Sequence, residues 1–570
     1  MADKVLVIGG GIAGIQASLD LAEAGTEVIL VEKSASIGGK MAALDKNFPT
    51  FDCSICIEAP KMSDVTHNKN ITVLTLAEVK EVKGTEGNFE ITINQKPRFV
   101  TDACTRCDLC VQACPQVRKN EFDAGVGARK AIHTPFSQAE PGPYVIDIES
   151  CLNEPPNYLP CGRCTDACGP EAIDFNMGPK VIKEKVVSIV VSTGFDLFNA
   201  SLLHEFGYSS DPDILTSYEL ERMLNASGPT DGEIIKPSNG KHPEKVLFVL
   251  CAGSRDERLV PYCSRTCCMY SIKEASQLVE HGIKDVTVLY MDIRAYGKGF
   301  DELYSRSQKD VKYIRSRPAS VKRKGDHIDV RYATDDGSLK VESYDMVVLA
   351  TASIPSKGTG ELAKVLGIEL SPDGFFKNEQ EDPVSTTREG VYVAGCASGP
   401  KDIPDSVTES AAASSKALKF VKNREWIEDP PPPPLDVSGE PRIGVFLCDC
   451  GSNIAGTVNV PHVKEKIGQL PNVVYVEENK YTCAGGTQDS IVEKIKEKKL
   501  NRVVVGACSP KTHGVTFQRV CSRAGLNPYL FEMANVRNMD SWVHKSEKRL
   551  ATEKAVDMVV MLAQDVELLW

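Results

Sequence analysis

The sequence predicts an α/β fold: parallel sheets built from separate stretches of chain, a cysteine-rich insertion in the first of them, and a further α/β domain at the C-terminal end. Three observations predict it. Short apolar runs such as 4–8, 28–31, 246–250 and 286–290 alternate with helix-periodic stretches, as buried parallel strands alternate with crossover helices. Segment 101–182 carries eight of the chain's 20 cysteines at close spacing. After Pro430–Pro434, a stiff spacer, a new set of strands begins. At 570 residues the chain is too long for one core.

The first run ends in Gly9-x-Gly11-x-x-Gly14 and leads into a helix pattern from Ile15 to Ala24, then a strand closed by Glu32. Gly9 makes the tight turn, Gly11 admits a pyrophosphate, and Gly14 lets helix and strand pack closely. The helix N-terminus, with Ile12 and Ala13 in its first turn, faces the phosphate charge, and Glu32 accepts from ribose hydroxyls. This order of strand, turn, helix, strand and acid reads as dinucleotide binding. Lys33 and the second glycine pair, Gly38-Gly39 with Lys40, resemble the FAD-first enzymes of the thioredoxin reductase type. Segment 389–395, ending in Gly395, resembles their second flavin-binding strand, with Cys396 where an acidic residue is usual. Ser192-Thr193-Gly194 and Ala350-Thr351-Ala352 resemble their crossing segments between nucleotide domains. The reading is FAD.

Within the insertion, Cys104, Cys107, Cys110 and Cys114-Pro115 form the C-x2-C-x2-C-x3-C-P run of a bacterial ferredoxin, whose thiolates hold 4Fe-4S cubanes. The fourth cysteine of such a run serves the other cluster, so Cys104, Cys107, Cys110 and Cys168 are expected on one and Cys151, Cys161, Cys164 and Cys114 on the other. A zinc ribbon is the alternative use of similar pairs. The expected bounds are 1–100, 183–240 and 341–428 for the flavin domain, 101–182 for the two-cluster ferredoxin module, and 241–340 for a Rossmann-like cluster domain. A linker at 429–439 and a Cys-x-Cys domain at 440–570 complete the chain.

The strand 246–250 enters no second glycine loop. Cys251, Cys263, Cys267 and Cys268 stand there, enough for one cluster, with buried structural thiols as the alternative. A nicotinamide site in this half is not expected. In the tail, Cys448 and Cys450, Cys483 and Cys508 each follow a strand and would converge on one sheet edge around a fourth cluster, unless they are scattered core thiols. Cys521 reads as core. Cys53 and Cys56 form an isolated C-x2-C, either ligands or thiols packing near the flavin without a metal.

Net charge is −12 with no basic block, which argues against a nucleic-acid partner. No run has the apolar length of a membrane span, and Met1–Lys4 leads straight into a strand without a leader pattern. Cysteines at metal-ligand spacing suit a reducing compartment. The expectation is a cytoplasmic protein without direct membrane insertion.

Together these motifs resemble the A subunit of heterodisulfide reductase over nearly the whole chain, the 251/263/267/268 cage being the most specific. Phe51–Cys56 also resembles this family's segment after the first flavin motif. The resemblance implies an iron–sulfur flavoprotein in which FAD splits an electron pair between a high-potential acceptor and ferredoxin. It implies four 4Fe-4S clusters, the cage cluster nearest the flavin, and Lys273 near the flavin N5. The partners implied are subunits of the B and C type, electron input of the hydrogenase or formate dehydrogenase type, and ferredoxin, in a dimer of heteromers. Two departures stand out: the Cys-x-Cys domain is usually N-terminal in methanogen members, and the usual second ferredoxin module is not found. Related subunits serve quinone-interacting and benzoyl-CoA reductase complexes as non-bifurcating relays. A stand-alone NAD(P)H reductase is disfavoured by the missing second phosphate loop.

Overall fold

A computed structural model describes residues 3–153, 160–334, 336–427 and 430–569. Met1, Ala2 and Asp429, which the leader and linker expectations touch, lie outside the described residues. The chain divides into two compact units, one of Met1–Ile55, Val65–Pro135 and Pro143–Ile427, the other of Cys56–Asp64, Phe136–Gly142 and Glu428–Trp570.

In the first unit a seven-stranded sheet gathers segments remote in sequence. Its central strands are parallel, in the order Val391–Val393, Ser188–Val191, Lys4–Ile8, Glu27–Val31, Ile71–Leu74. Val5 to Ile8 pair in register with Ser188 to Val191, so residues on either side of the insertion share one sheet. Leu6, Ile29, Ile189 and Val391 bury their side chains in a common core with Phe89 and Phe376. The strands Ala77–Thr85, Asn88–Gln95 and Lys180–Val186 form an antiparallel meander. The insertion leaves after the second of these and returns at the third. Its ends lie close, since Thr101 N–H donates to Ala172 O at 2.7 Å, the condition under which an insertion is tolerated. Inside it are two short hairpins, two short helices and a small core in which Cys110, Cys114 and Cys151 pack with Phe99, Tyr144 and Ile146.

The second sheet is all parallel, in the order Ile214–Thr216, Met346–Thr351, Lys245–Ala252, Asp285–Tyr290, Lys312–Arg315. Two of its strands lie outside the expected bounds of 241 and 340: Ile214–Thr216 and Met346–Thr351 both belong here, because an inner strand as apolar as Lys245–Ala252 needs a neighbour on each side. Phe195–Leu197 and Ser353–Pro355 pair antiparallel directly after the two crossing segments.

The second unit is a four-stranded parallel sheet, ordered Val473–Asn479, Ile443–Cys448, Arg502–Ala507, Phe531–Asn535. Helices Pro510–Ala524 and Lys548–Glu567 help close a core around Phe446, Val504 and Phe517, and Cys521 is buried there as expected. The proline segment is no free spacer along its length. Leu435 N–H donates to Gly525 O at 2.8 Å, and Leu435 and Val437 pack on this core.

Candidate functional site

At the exit of Lys4–Ile8 the glycines do what their positions demand. Gly9 has φ +105, and a Cβ on Gly14 would sit 1.8 Å from Gly9 O. Gly11, by contrast, faces open space, its would-be Cβ meeting only Gly39 Cα at 3.8 Å. Gly11 and Gly39 thus frame a slot that a side chain would fill and a pyrophosphate can enter. Helix Ile12–Glu23 begins there, with Ala13 buried and Ile12 half-buried. Glu32 accepts from Gly10 N–H and Ser34 N–H, both at 2.7 Å, which leaves lone pairs for a ribose. Thr193 Oγ1 is buried without a partner beside Gly194, an orphan that a flavin would satisfy. Lys40 pairs with Asp196 at 3.2 Å near the Phe195 ring, while Lys33 is exposed and pairs with Glu78. Gly395 N–H donates to Glu409 Oε2 at 3.0 Å. Glu409, from the following helix, therefore supplies the acid expected at 396, and Cys396 Sγ turns to Lys401 O. These residues fit FAD.

In the insertion, Cys110 stands near Cys104, Cys107 and Cys168, and Cys164 near Cys151, Cys114 and Cys161. The Cys110 thiol is pushed up to about 12 by burial and by Cys104, Cys168 and Cys107; that of Cys164 rises to about 11 through burial, Cys151, Cys114 and Cys161. Arg106 and Asp108 at positive φ let the loop wrap between its cysteines. Ala172 N–H donates to Cys168 Sγ at 3.3 Å.

In the second half, Cys251 sits at φ +58 where the strand register slips between Val249 and Ala252. Helix Cys267–Glu280 has Cys267 and Cys268 in its first turn. Cys267 lies between Cys251 and Cys268 in hydrogen-bond contact with both, and it, with Arg255 and Ser254, holds the Cys251 thiol down to about 7. Arg265 N–H donates to Cys263 Sγ at 3.3 Å. A cleft of about 550 Å³ reaches Cys263, lined by Arg265, Arg294 and Tyr296.

In the second unit Cys450 is in hydrogen-bond contact with Cys448 and Cys508, and Cys483 adjoins the last two. Cys448 ends its strand, Cys508 directly follows another, and Cys483 follows a third, all at the same edge of the parallel sheet. Among the described residues no three His, Cys, Asp or Glu side chains close around a single ion. A cubane is a larger guest than one ion, and the chemistry of four all-thiol sets fits it. Cys53 and Cys56 are disulfide-bonded and so are not free thiolate ligands. Arg537, buried and stacked on Trp542 at 4.5 Å, donates to Cys56 Sγ at 2.9 Å.

Lys273 is 1% exposed and its ammonium is ion-paired with Glu221. Glu221, Glu274 and Asp45 around it were not legible as site residues. The only signal nearby was the capping box Thr216-x-x-Glu219, which marks the helix that carries Glu221.

The glycine cradle and its flanking strands define an FAD-dependent oxidoreductase, and residues 4–47 match the family of FAD dependent oxidoreductases. The chain is 47% identical over 434 residues to the iron-sulfur A subunit of the CoB--CoM heterodisulfide reductase of Methanocaldococcus jannaschii, a match taking in 74% of this chain and 65% of that protein. It is 45% identical over 468 residues to the A subunit of the H(2):CoB-CoM heterodisulfide,ferredoxin reductase of Methanothermobacter thermautotrophicus, covering 79% of this chain and 69% of the relative. The chain belongs to the family of heterodisulfide reductase A subunits, and it spans about two thirds of the length of these relatives. Among solved structures, a thioredoxin reductase from Lactococcus lactis matches at 14% identity with a TM-score of 0.42, over 73% of this chain and 98% of that one. No helix among the described residues is long and apolar enough to cross a membrane.

Proposed function

We propose that this FAD-dependent oxidoreductase subunit carries electrons between a flavin and four 4Fe-4S clusters inside a heterodisulfide-reductase-type complex, and that it bifurcates or confurcates them. The observation that carries the reading is the strand exit at Ala252. Where a second nucleotide loop would receive a nicotinamide, the thiols of Cys251, Cys267 and Cys268 gather instead. FAD, when bound, supplies the exchange between two-electron and one-electron chemistry.

The chain's own residues do the rest. Gly9 to Gly14 and Glu32 hold the adenosine diphosphate end, Gly39, Lys40, Thr193, Gly194 and Gly395 line the remainder, and Glu409 fixes the Gly395 backbone. Cys251, Cys263, Cys267 and Cys268 hold the cluster next to the flavin. The insertion quartets, Cys104/Cys107/Cys110/Cys168 and Cys151/Cys161/Cys164/Cys114, pass electrons on, and Cys448, Cys450, Cys483 and Cys508 hold the fourth cluster. Lys273 would lie near the flavin, where its ammonium would stabilise added negative charge. Relatives named for hydrogen, formate and ferredoxin support partners of those kinds, with a dimer of heteromers in the cytoplasm as the setting.

Oxygen-free purification from the native host tests this. The expected result is bound FAD, about sixteen irons per chain, and co-purifying cysteine-rich subunits with hydrogenase- or formate dehydrogenase-type input. A membrane anchor without those subunits would make the chain a non-bifurcating relay. Fast bleaching of the isolated protein by NADH or NADPH would make it a stand-alone reductase.

A further inference from the structure

The Cys53–Cys56 disulfide has no part in the proposed function, yet Cys56 stands beside a buried charge. Cys53 directly precedes helix Ser54–His67, and Cys56 lies in its first turn. Both are buried. Cys56 belongs to the second unit, as do Arg537 and the four tail cysteines. Arg537 is 2% exposed, and its Nη1 donates to Cys56 Sγ at 2.9 Å. Its other partners are neutral: Nε donates to Asn538 Oδ1 at 3.2 Å, and the guanidinium lies over the Trp542 ring. Among the described residues no carboxylate pairs with it. The same charge acts on the sulfurs of Cys483 and Cys508, two of the four tail cysteines.

A buried guanidinium without an anion is costly. A disulfide sulfur is a weak, neutral acceptor. A thiolate on the same nitrogen would make a charge-assisted hydrogen bond, roughly twice as strong as a neutral one. A Cys-x-x-Cys pair at a helix N-terminus gains further from the helix dipole once a thiolate forms. The surroundings of Cys56 therefore suit the opened bond better than the closed one. In a compartment that keeps thiols reduced, as the proposed function assumes, a disulfide is ordinarily catalytic or redox-sensing. With both sulfurs buried, an outside thiol has no line of attack on the bond. Electrons must come from within, and the tail cysteines, joined to Cys56 through one guanidinium, are the source at hand.

We propose that Cys53 and Cys56 form a two-electron disulfide/dithiol couple that exchanges electrons with a 4Fe-4S cluster on Cys448, Cys450, Cys483 and Cys508, with Arg537 as counter-ion to the Cys56 thiolate. The inference rests on the reading of those four cysteines as cluster ligands. On reduction, two electrons arrive one after the other from that cluster and the S–S bond breaks. One proton from solvent goes to Cys53, which becomes a thiol, and Cys56 is left as the thiolate on Arg537. Reoxidation re-forms the bond, releases the proton and returns both electrons. The couple lets a series of one-electron carriers hold an electron pair.

The FAD- and cluster-loaded protein, poised without oxygen at a series of potentials, then acid-quenched and alkylated, reports the couple by peptide mass spectrometry. As the potential is lowered, the disulfide-linked peptide is expected to give way reversibly to a doubly alkylated one. Cys450→Ala, lacking the tail iron, should leave the peptide linked over the same time. Arg537→Met should lower the reduced-to-oxidised ratio at a fixed potential about tenfold, equal to about 30 mV for two electrons. Arg537→Lys should lower it less, and also serves if the Met variant folds poorly. A peptide that stays linked at every potential in protein holding about sixteen irons overturns the couple alone. Equal reduction in Cys450→Ala overturns the electron route, and a ratio unmoved in both Arg537 variants overturns the counter-ion. About twelve irons in the wild type would instead overturn the tail cluster, and the proposal with it.

Discussion

The chain passes twice through strand, turn, helix and strand, once at 4–31 and once at 245–290, and closes the first strand with glycine in one passage and cysteine in the other. In the first, Gly9 and Gly14 are held by contacts no side chain tolerates, and the room left over lies at Gly11. In the second, a register slip bends the strand exit, and Cys251 meets Cys267, which in turn meets Cys268, in the following helix's first turn. A bulge re-aims a side chain and so changes what a strand exit presents. A phosphate asks for backbone N–H groups and no Cβ; a cluster asks for thiols. One strand exit cannot serve both, so the fold is shared and the chemistry is divided.

Substitutions around the two strand exits and the buried charges near them break or sharpen this contrast. Gly14→Val should do the most damage: its Cβ would sit 1.8 Å from Gly9 O, against main chain that cannot yield. We expect a loss of at least about 3 kcal/mol, read as little folded protein after expression. Lys273→Met in the second passage should cost about 3–5 kcal/mol, because Glu221 is left buried without its counter-ion. Chemical denaturation would measure it, and Glu221→Gln in the same background should recover part of the loss.

Asp45 gives a pH test. Burial raises its carboxyl to about 6, against 3.8 in the unfolded chain. Below the lower value both states are protonated and the fold has its full advantage. As pH climbs from about 4 to about 6 the unfolded chain releases its proton first, so stability falls by about 3 kcal/mol across that window. Asp45→Asn should flatten this slope in denaturation curves taken at several pH values.

The mildest change for stability is the sharpest for function. Gly11→Val meets no clash and should cost about 1 kcal/mol or less. It should nonetheless abolish bound FAD while iron is retained, and Cys267→Ala should lose cage iron and retain FAD. Absorbance and iron analysis of the two variants side by side would show whether the two guests are separable.

How far the sequence reaches can be followed along these residues. Local spacing alone assigned the glycine turn, the acid at Glu32, the two insertion quartets and the strands that carry the tail cysteines, because each depends on residues a few positions apart or on strand periodicity. Spacing also located the cage cysteines, but not that Cys267 stands between two others. The pairing of Lys4–Ile8 with Ser188–Val191, the transfer of Ile214–Thr216 and Met346–Thr351 to the second sheet, and the docking of Leu435 on the tail core were decided by which apolar faces could be buried together. The same holds for Glu409 standing in for a missing acid and for Glu221, Glu274 and Asp45 closing on Lys273. Glu221 and Asp45 come from segments distant from Lys273, and none of these carboxyls has a pattern of its own. Their protonation depends on desolvation, which a sequence cannot express until folding removes the water.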